Sequence, residues 1–229
     1  MGPFKQLLDL GATVIAIDLD RPEIQRRLIE AARSSAGTLI LPVKREQVSG
    51  DDFYADVSGM SDDALCSAAG ANLLEDTPEI ADFLACVEEG RTMTLGAYCY
   101  LDGAAFVRIV AAQDMIQSRV CEARGGGNCS LAFLCTPTDV FARPLEAREA
   151  SEQFFRDKPL WQAVLVSAGA LRRNVLTDPP IKSEDGGELD LIQCVIGPQG
   201  PNYLLAKRIQ HWRAIKARFV DGITVSSNV

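Results

Sequence analysis

The chain has 229 residues, of which 47% are hydrophobic and 24% are charged, and its formal net charge is −8. This composition is typical of a globular protein, and the length allows one domain with a real core. The acidic balance argues against a nucleic-acid partner or an anionic membrane surface, because both require a basic patch. No apolar run approaches the roughly twenty residues of a membrane span, and we expect no signal peptide.

Cysteine usage indicates a reducing environment. The chain contains Cys66, Cys86, Cys99, Cys121, Cys129, Cys135 and Cys194. Their number is odd and no two have C-x-x-C spacing, so we expect neither a disulfide framework nor a structural zinc site. The pattern predicts a soluble protein of the cytoplasm or of an organelle stroma or matrix. The single histidine, His211, lies among Arg and Lys residues and is expected at the surface.

The N-terminal part predicts alternating helices and strands. The expected elements are a helix over residues 4–10, a strand over 13–17, a helix over 22–32 and a strand over 38–43. Gly11 is suited to end the first helix, and Asp20 and Pro22 are suited to begin the second. The continuous apolar run 13–17 predicts a strand buried on both faces of a parallel sheet, ending at Asp18.

The middle of the chain continues this alternation. We expect short helices from Ser61 and Asp76, a short apolar segment at 93–101, a helix over 104–123, a strand over 130–135, helical structure over 144–173 broken near Lys158–Pro159, and a strand over 188–196. The glycine-rich run 124–128 is interpreted as a connector, because no Gly-Lys-Ser/Thr follows it as in a phosphate cradle. Thr136, Thr138 and Asp139 follow a strand and are candidates to touch a cofactor or to form a turn.

Tyr203 and Lys207 are the main catalytic candidates. They are four residues apart, so a helix beginning near Asn202 places both side chains on one face. A neighbouring ammonium lowers the pKa of a phenol and suits it to acid–base work. The alternative is that Tyr203 packs and Lys207 is solvated. After this amphipathic helix, Gly222 is suited to end it before a β-branched strand.

Two stretches resemble the short-chain dehydrogenase/reductase family. One is the Tyr203-x-x-x-Lys207 helix leading into the strand at 222–226, and the other is Gly11-Ala12-x-Val14-x-x-x-Asp18. The resemblance implies a doubly wound, mostly parallel α/β sheet of the Rossmann type with helices on both faces. It implies a single domain over residues 1–229 that lacks the family's first strand and glycine-rich turn, and its last strand.

The resemblance also implies roles for individual residues. Tyr203 would pass a proton to a carbonyl substrate, and Lys207 would lower the Tyr203 pKa and hold the nicotinamide ribose. Asp18 would bind the adenosine ribose and so favour NAD over NADP, although Arg21 nearby leaves NADP open. Asn72 would lie near the adenine, and Thr136 near the cofactor. The alternative for Asp18 is that it simply begins a turn.

The chain also departs from the family pattern. The run 191–200 before Tyr203 contains no Ser or Thr to hold a substrate oxygen. Loss of the central first strand would leave backbone groups of its neighbours unpaired, so we expect either a portion of a longer protein or a rearranged sheet.

The first hypothesis for the function is an NAD(P)-dependent oxidoreductase. The second is a catalytically inactive Rossmann-like binding or structural subunit of a larger assembly, and both fit an oligomer. A thiol enzyme is a weaker third hypothesis, because no cysteine has a histidine at a spacing that indicates a catalytic Cys–His pair.

Overall fold

The computed structural model describes residues 3–48, 53–54, 57, 59–134, 138, 140–171, 179–184, 186–193 and 200–228. Its elements are α1 (Phe4–Asp9), β1 (Thr13–Ile15), α2 (Pro22–Arg33), β2 (Thr38–Ile40), α3 (Asp62–Ala68), α4 (Thr77–Cys86), β3 (Met93–Ala97), α5 (Ala104–Arg124), β4 (Cys129–Leu134), β5 (Val140–Arg143), α6 (Leu145–Arg156), α7 (Leu160–Ser167), β6 (Ile181–Lys182), β7 (Glu188–Gln193), α8 (Pro201–Phe219) and β8 (Thr224–Asn228). A short 3-10 turn, Arg45–Gln47, follows β2. The order of elements predicted from the sequence is largely confirmed.

The chain divides into two compact units. The first unit comprises residues 1–135 and 209–228, and the second comprises residues 136–208. The boundary between them falls inside α8, between Arg208 and Ile209. No helix among the described residues combines the length and the apolar character needed to cross a membrane.

The first unit contains two parallel sheets, so the predicted α/β class with parallel strands is confirmed. In one sheet β1 pairs with β2, and Val14 lies opposite Leu39. In the other the order is β3-β4-β8, and Leu95, Leu131 and Val225 lie side by side. Within the described residues neither β1 nor β3 has a strand partner on its second edge.

The core of the first unit lies on one face of the β3-β4-β8 sheet. Side chains alternate along β3, so that Leu95 is buried against the helices and Gly96 is exposed on the other face. Residues Ile80 and Leu84 of α4 and Ile116 and Val120 of α5 close the core over the buried face. The expectation that the first strand is buried on both faces is wrong for β1, where Thr13 is exposed and its neighbours are half-buried.

Local signals explain most helix ends. Pro22 is the first residue of α2, as predicted, and Ser61 Oγ accepts a hydrogen bond from the Ala64 N–H at 3.2 Å at the start of α3. The prediction that Asp20 begins α2 is wrong. Arg21 occupies the capping position, and the Asp20 carboxylate instead accepts a hydrogen bond from Lys44 Nζ at 2.7 Å.

The second unit contains an antiparallel sheet that the sequence did not predict. The strand predicted at 188–196 is β7, and it pairs antiparallel with β5 and with β6 rather than in a parallel sheet. β5 has only four residues and its side chains are mostly exposed, so it lacks the apolar run that identifies a strand. Arg143 and Asp190 lie opposite each other in this pairing and form a buried ion pair. The predicted helical break near Pro159 separates α6 from α7 and is confirmed.

Candidate functional site

Asp18 lies just beyond β1, at the carboxyl end of the strand. Its side chain is exposed, and Oδ1 accepts a hydrogen bond from the Leu19 N–H at 2.8 Å. This local bond is the one expected of a residue that begins a turn. The exposure of the carboxylate also leaves it accessible to a ligand, so both interpretations from the sequence stay open.

A distant segment of the chain holds the Asp18 backbone. The Asp18 carbonyl accepts hydrogen bonds from the Ala71 N–H at 2.9 Å and from Gln25 Nε2 at 3.2 Å. Gly70 has φ +110°, and a Cβ there would lie 2.6 Å from the Asp20 Cα. Only glycine therefore permits this close approach. We refer to Asp18 together with residues 70–72 as the Asp18 site.

Asn72 belongs to the Asp18 site, and its side chain stabilises a turn of the backbone. Its Oδ1 accepts a hydrogen bond from the Leu74 N–H at 3.0 Å, and its own N–H donates to Asp76 Oδ2 at 2.7 Å. These bonds build the turn that leads into α4. Asn72 follows Ala71, whose N–H bonds the Asp18 carbonyl, while the role of Asn72 toward adenine stays a prediction.

A cavity of about 830 Å³ adjoins the Asp18 site. Its lining includes Gly70 and Ala71, the segment 41–44 after β2, and side chains of α4. Phe53 stacks on Phe83 with ring centroids 5.8 Å apart, and Tyr54 meets Phe53 edge-on at 5.1 Å. This size is usual for a small-molecule site, and the three rings offer an aromatic wall against which a planar group can stack.

Two further residues place charge and a thiol near the Asp18 site. The hydrogen bond from Lys44 holds the pKa of Asp20 below its usual value. The same hydrogen bond raises the pKa of Lys44. Burial, and secondarily the negative charge of Asp18, raises the pKa of the Cys99 thiol just beyond β3. Sequence reasoning did not place Lys44 or Cys99 near the Asp18 site, because both depend on interactions between segments far apart in the chain.

Tyr203 and Lys207 lie near the start of α8, in the second unit. The predicted shared face is confirmed, because Lys207 Nζ lies over the Tyr203 ring, 5.8 Å from its centroid. The alternative in which Lys207 is solvated is wrong, since this residue is buried. The ammonium group is therefore held against the aromatic ring.

The remaining predicted residues lie near the start of the second unit. Thr136 and Asp139 are outside the described residues. Thr138 is fully buried, and its carbonyl accepts a hydrogen bond from Arg208 Nε at 3.4 Å. Its hydroxyl oxygen has no hydrogen-bond partner among the described residues. Thr138 is therefore a buried residue of this unit and not an exposed contact.

Comparisons of the chain with family models, with curated proteins and with solved structures find no match. Across the described ranges, no group of three or more His, Cys, Asp or Glu side chains is placed to hold a metal ion. Functional interpretation therefore depends on two arrangements. They are the Asp18 site with its adjoining cavity in the first unit, and the Tyr203–Lys207 pair in the second.

Proposed function

We propose that the protein is an NAD(P)-linked oxidoreductase of the short-chain dehydrogenase/reductase type, with a Rossmann-like sheet. The observation that carries the proposal is the exposed Asp18 carboxylate at the end of a parallel strand, beside a cavity with an aromatic wall. In open parallel sheets, ligands bind beyond the carboxyl ends of the strands. Asp18 follows the last residue of β1, Ile15, by three positions.

The residues of the Asp18 site suit the adenosine half of a dinucleotide. A carboxylate accepts hydrogen bonds from the two ribose hydroxyls and repels a 2′-phosphate, so NAD is favoured over NADP. The adenine ring is planar and can stack on an aromatic side chain of the cavity wall, where Phe53 lies stacked on Phe83. Asn72 lies next in the chain to the cavity-lining Ala71 and would be near the adenine.

The Tyr203–Lys207 pair suits proton transfer to a carbonyl or alcohol substrate. Lys207 Nζ lies over the Tyr203 ring, 5.8 Å from its centroid, so a cation stands beside the residue that would carry the proton. A bound nicotinamide cofactor would supply the hydride. Tyr203 would deliver or accept the proton at the substrate oxygen, and Lys207 would hold the nicotinamide ribose.

Binding of NADH and NADPH to the full chain, measured by isothermal titration calorimetry, tests the cofactor site. We expect NADH to bind more tightly than NADPH. Asp18→Ala should weaken NADH binding about tenfold or more, because hydrogen bonds to a charged group contribute about 1.5–3 kcal/mol. Asp9→Ala is the matched control, since Asp9 is an exposed acid at the end of α1 and should have no effect. Absence of binding by either dinucleotide would overturn the proposal.

A second candidate function is a non-catalytic binding or assembly subunit. A specific observation favours it: Leu160, Trp161 and Val164 of α7 are 85%, 63% and 62% exposed. Their spacing places these three side chains on one face of the helix. Contiguous exposed apolar surface is typical of a protein interface. The absence of Ser and Thr from residues 191–200 also favours a protein that does not catalyse carbonyl reduction, because no hydroxyl there can hold a substrate oxygen.

A further inference from the structure

Two cysteines meet where the glycine-rich segment turns the chain. Cys121 lies in the last turn of α5, Cys129 is the first residue of β4, and their sulfur atoms are 3.2 Å apart. Gly125 has φ +74°, and a Cβ on Gly126 would lie 3.3 Å from the Gly222 carbonyl oxygen. The glycines thus permit a tight turn beside the backbone at Gly222. That turn brings the two thiols together.

The two thiols differ in their readiness to ionise. With Cys121 as donor, the S–H···S hydrogen bond holds the pKa of Cys129 below its usual value. The charge of Arg124 acts in the same direction, while burial opposes it. The same hydrogen bond raises the pKa of Cys121, which therefore keeps its proton. Cys129 is thus the thiol that ionises more readily and yields the reactive thiolate, although it is 2% exposed while Cys121 is half-buried.

Arg124 is fixed in place beside these thiols. Its guanidinium donates hydrogen bonds to five backbone carbonyls, which belong to Leu84, Ala85, Val87, Glu88 and Arg91. A guanidinium anchored in this way keeps a positive charge near Cys129. At Cys66 and Cys99, by contrast, burial raises the pKa of the thiol.

We propose that Cys121 and Cys129 form a redox-active dithiol that small peroxides oxidise to an intramolecular disulfide. The Cys129 thiolate attacks one oxygen of hydrogen peroxide, the O–O bond breaks, and the departing hydroxide takes up a proton as water. Cys129 is then a sulfenic acid. Cys121 gives up its proton and attacks that sulfur, and the S–O bond breaks as the S–S bond forms. The second hydroxide leaves as water with the proton of Cys121.

The geometry favours the second step. A disulfide bond is about 2 Å long, so the two sulfur atoms need only a small approach from their separation of 3.2 Å. The glycine-rich turn gives the chain freedom for this adjustment. Two electrons leave the two thiols and reduce one peroxide to two waters, so no other reductant or oxidant is required.

Peptide mapping of the oxidised full chain tests the proposal. The reduced protein is treated with hydrogen peroxide, the remaining thiols are alkylated, and the protein is digested with trypsin. Cleavage after Arg119, Arg124 and Arg148 releases Cys121 on peptide 120–124 and Cys129 on peptide 125–148. We expect these two peptides to be joined, lighter by two hydrogen atoms than their sum, and to separate after dithiothreitol treatment.

Variants and fragment ions make the result specific. Cys121→Ser and Cys129→Ser should each reduce the cross-linked peptide at least tenfold, whereas Cys86→Ser, at an exposed free cysteine, should leave it unchanged. Cys135 shares the tryptic peptide of Cys129, so fragment ions must locate the link at Cys129. The proposal is overturned if the wild-type thiols are alkylated or become sulfonic acids without the cross-link, or if the link lies at Cys135. The wild-type map decides the question even if a variant fails to fold.

Discussion

The Tyr203–Lys207 pair is the feature on which any catalytic activity depends. A buried lysine is costly unless other groups compensate its charge. Part of that compensation comes from the Tyr203 ring, over which Lys207 Nζ lies. The contact suits structural packing of Lys207 and also a proton-carrying role of Tyr203. A change that removes only the hydroxyl separates these two roles.

Tyr203→Phe should abolish carbonyl reduction without disturbing the fold. Phenylalanine keeps the ring that contacts Lys207 but cannot carry the proton, and general acid catalysis contributes about 10²- to 10⁴-fold to a rate. Turnover with NADH and a panel of carbonyl substrates measures the loss, and circular dichroism checks the fold. Tyr100→Phe is the matched control, because Tyr100 is 62% exposed and its hydroxyl donates a hydrogen bond to Asp102 Oδ1 at 3.1 Å, away from Tyr203 in the chain. Equal turnover of Tyr203→Phe and the wild type would exclude this mechanism.

The pairing of β5 with β7 depends on a buried ion pair. Arg143 Nε donates to Asp190 Oδ2 at 2.7 Å, and the two side chains are only 10% and 5% exposed. Asp190 Oδ1 has no hydrogen-bond partner in the described part of the chain. Removing one partner of such a pair leaves an uncompensated buried charge, whereas replacing both with apolar residues is often neutral. The pair therefore selects this register of the antiparallel strands more than it stabilises them.

Asp190→Ala should lower the free energy of unfolding by about 3 kcal/mol, because the Arg143 charge then stays buried without its partner. The double variant Arg143→Met with Asp190→Leu should recover most of that loss. Urea unfolding followed by circular dichroism measures both. Arg26→Ala is the control, since Arg26 pairs with Asp63 at the surface and should show no measurable change. A double variant as unstable as Asp190→Ala would show that the ion pair itself stabilises the sheet.

The exposed apolar face of α7 suggests that the chain does not act alone. If this face is an interface between copies, light scattering of the full chain should give a mass well above 24.8 kDa. Leu160→Glu should return the mass to that of one chain, because a charge at the centre of an apolar contact is strongly disfavoured. Leu10→Glu is the matched control, since Leu10 is 83% exposed at the end of α1. A wild type that is monomeric at high concentration would remove this argument for a self-assembling subunit.

The arrangement of the parallel strands bears on the predicted missing strand. β1 and β3 end two separate sheets, and each has an edge without a partner among the described residues. Ile15 and Ile17 nevertheless pack against the core that contains Leu95. Side-chain packing therefore relates the two sheets, and no described strand pairs with both β1 and β3. The predicted loss of the family's first strand stays a prediction.

Local signals in the sequence predicted most elements and several of their ends. Pro22, Ser61 and Gly222 act through their own backbone or through neighbours a few residues away, so their effects can be read from the order of residues. The shared face of Tyr203 and Lys207 was predictable for the same reason, because helical spacing alone determines it.

Tertiary structure alone decided which distant segments meet. The contact of Gly70 with Asp20, the antiparallel pairing of β5 with β7 and the thiol pair at the two ends of the glycine-rich turn have no local signature. Each arises because residues from separate segments, or from the two sides of a turn, come together to bury apolar surface and to pair their polar groups. The sequence by itself determined where most helices and strands form, with β5 and β6 as exceptions. Packing determined which strands pair and which functional groups they bring together.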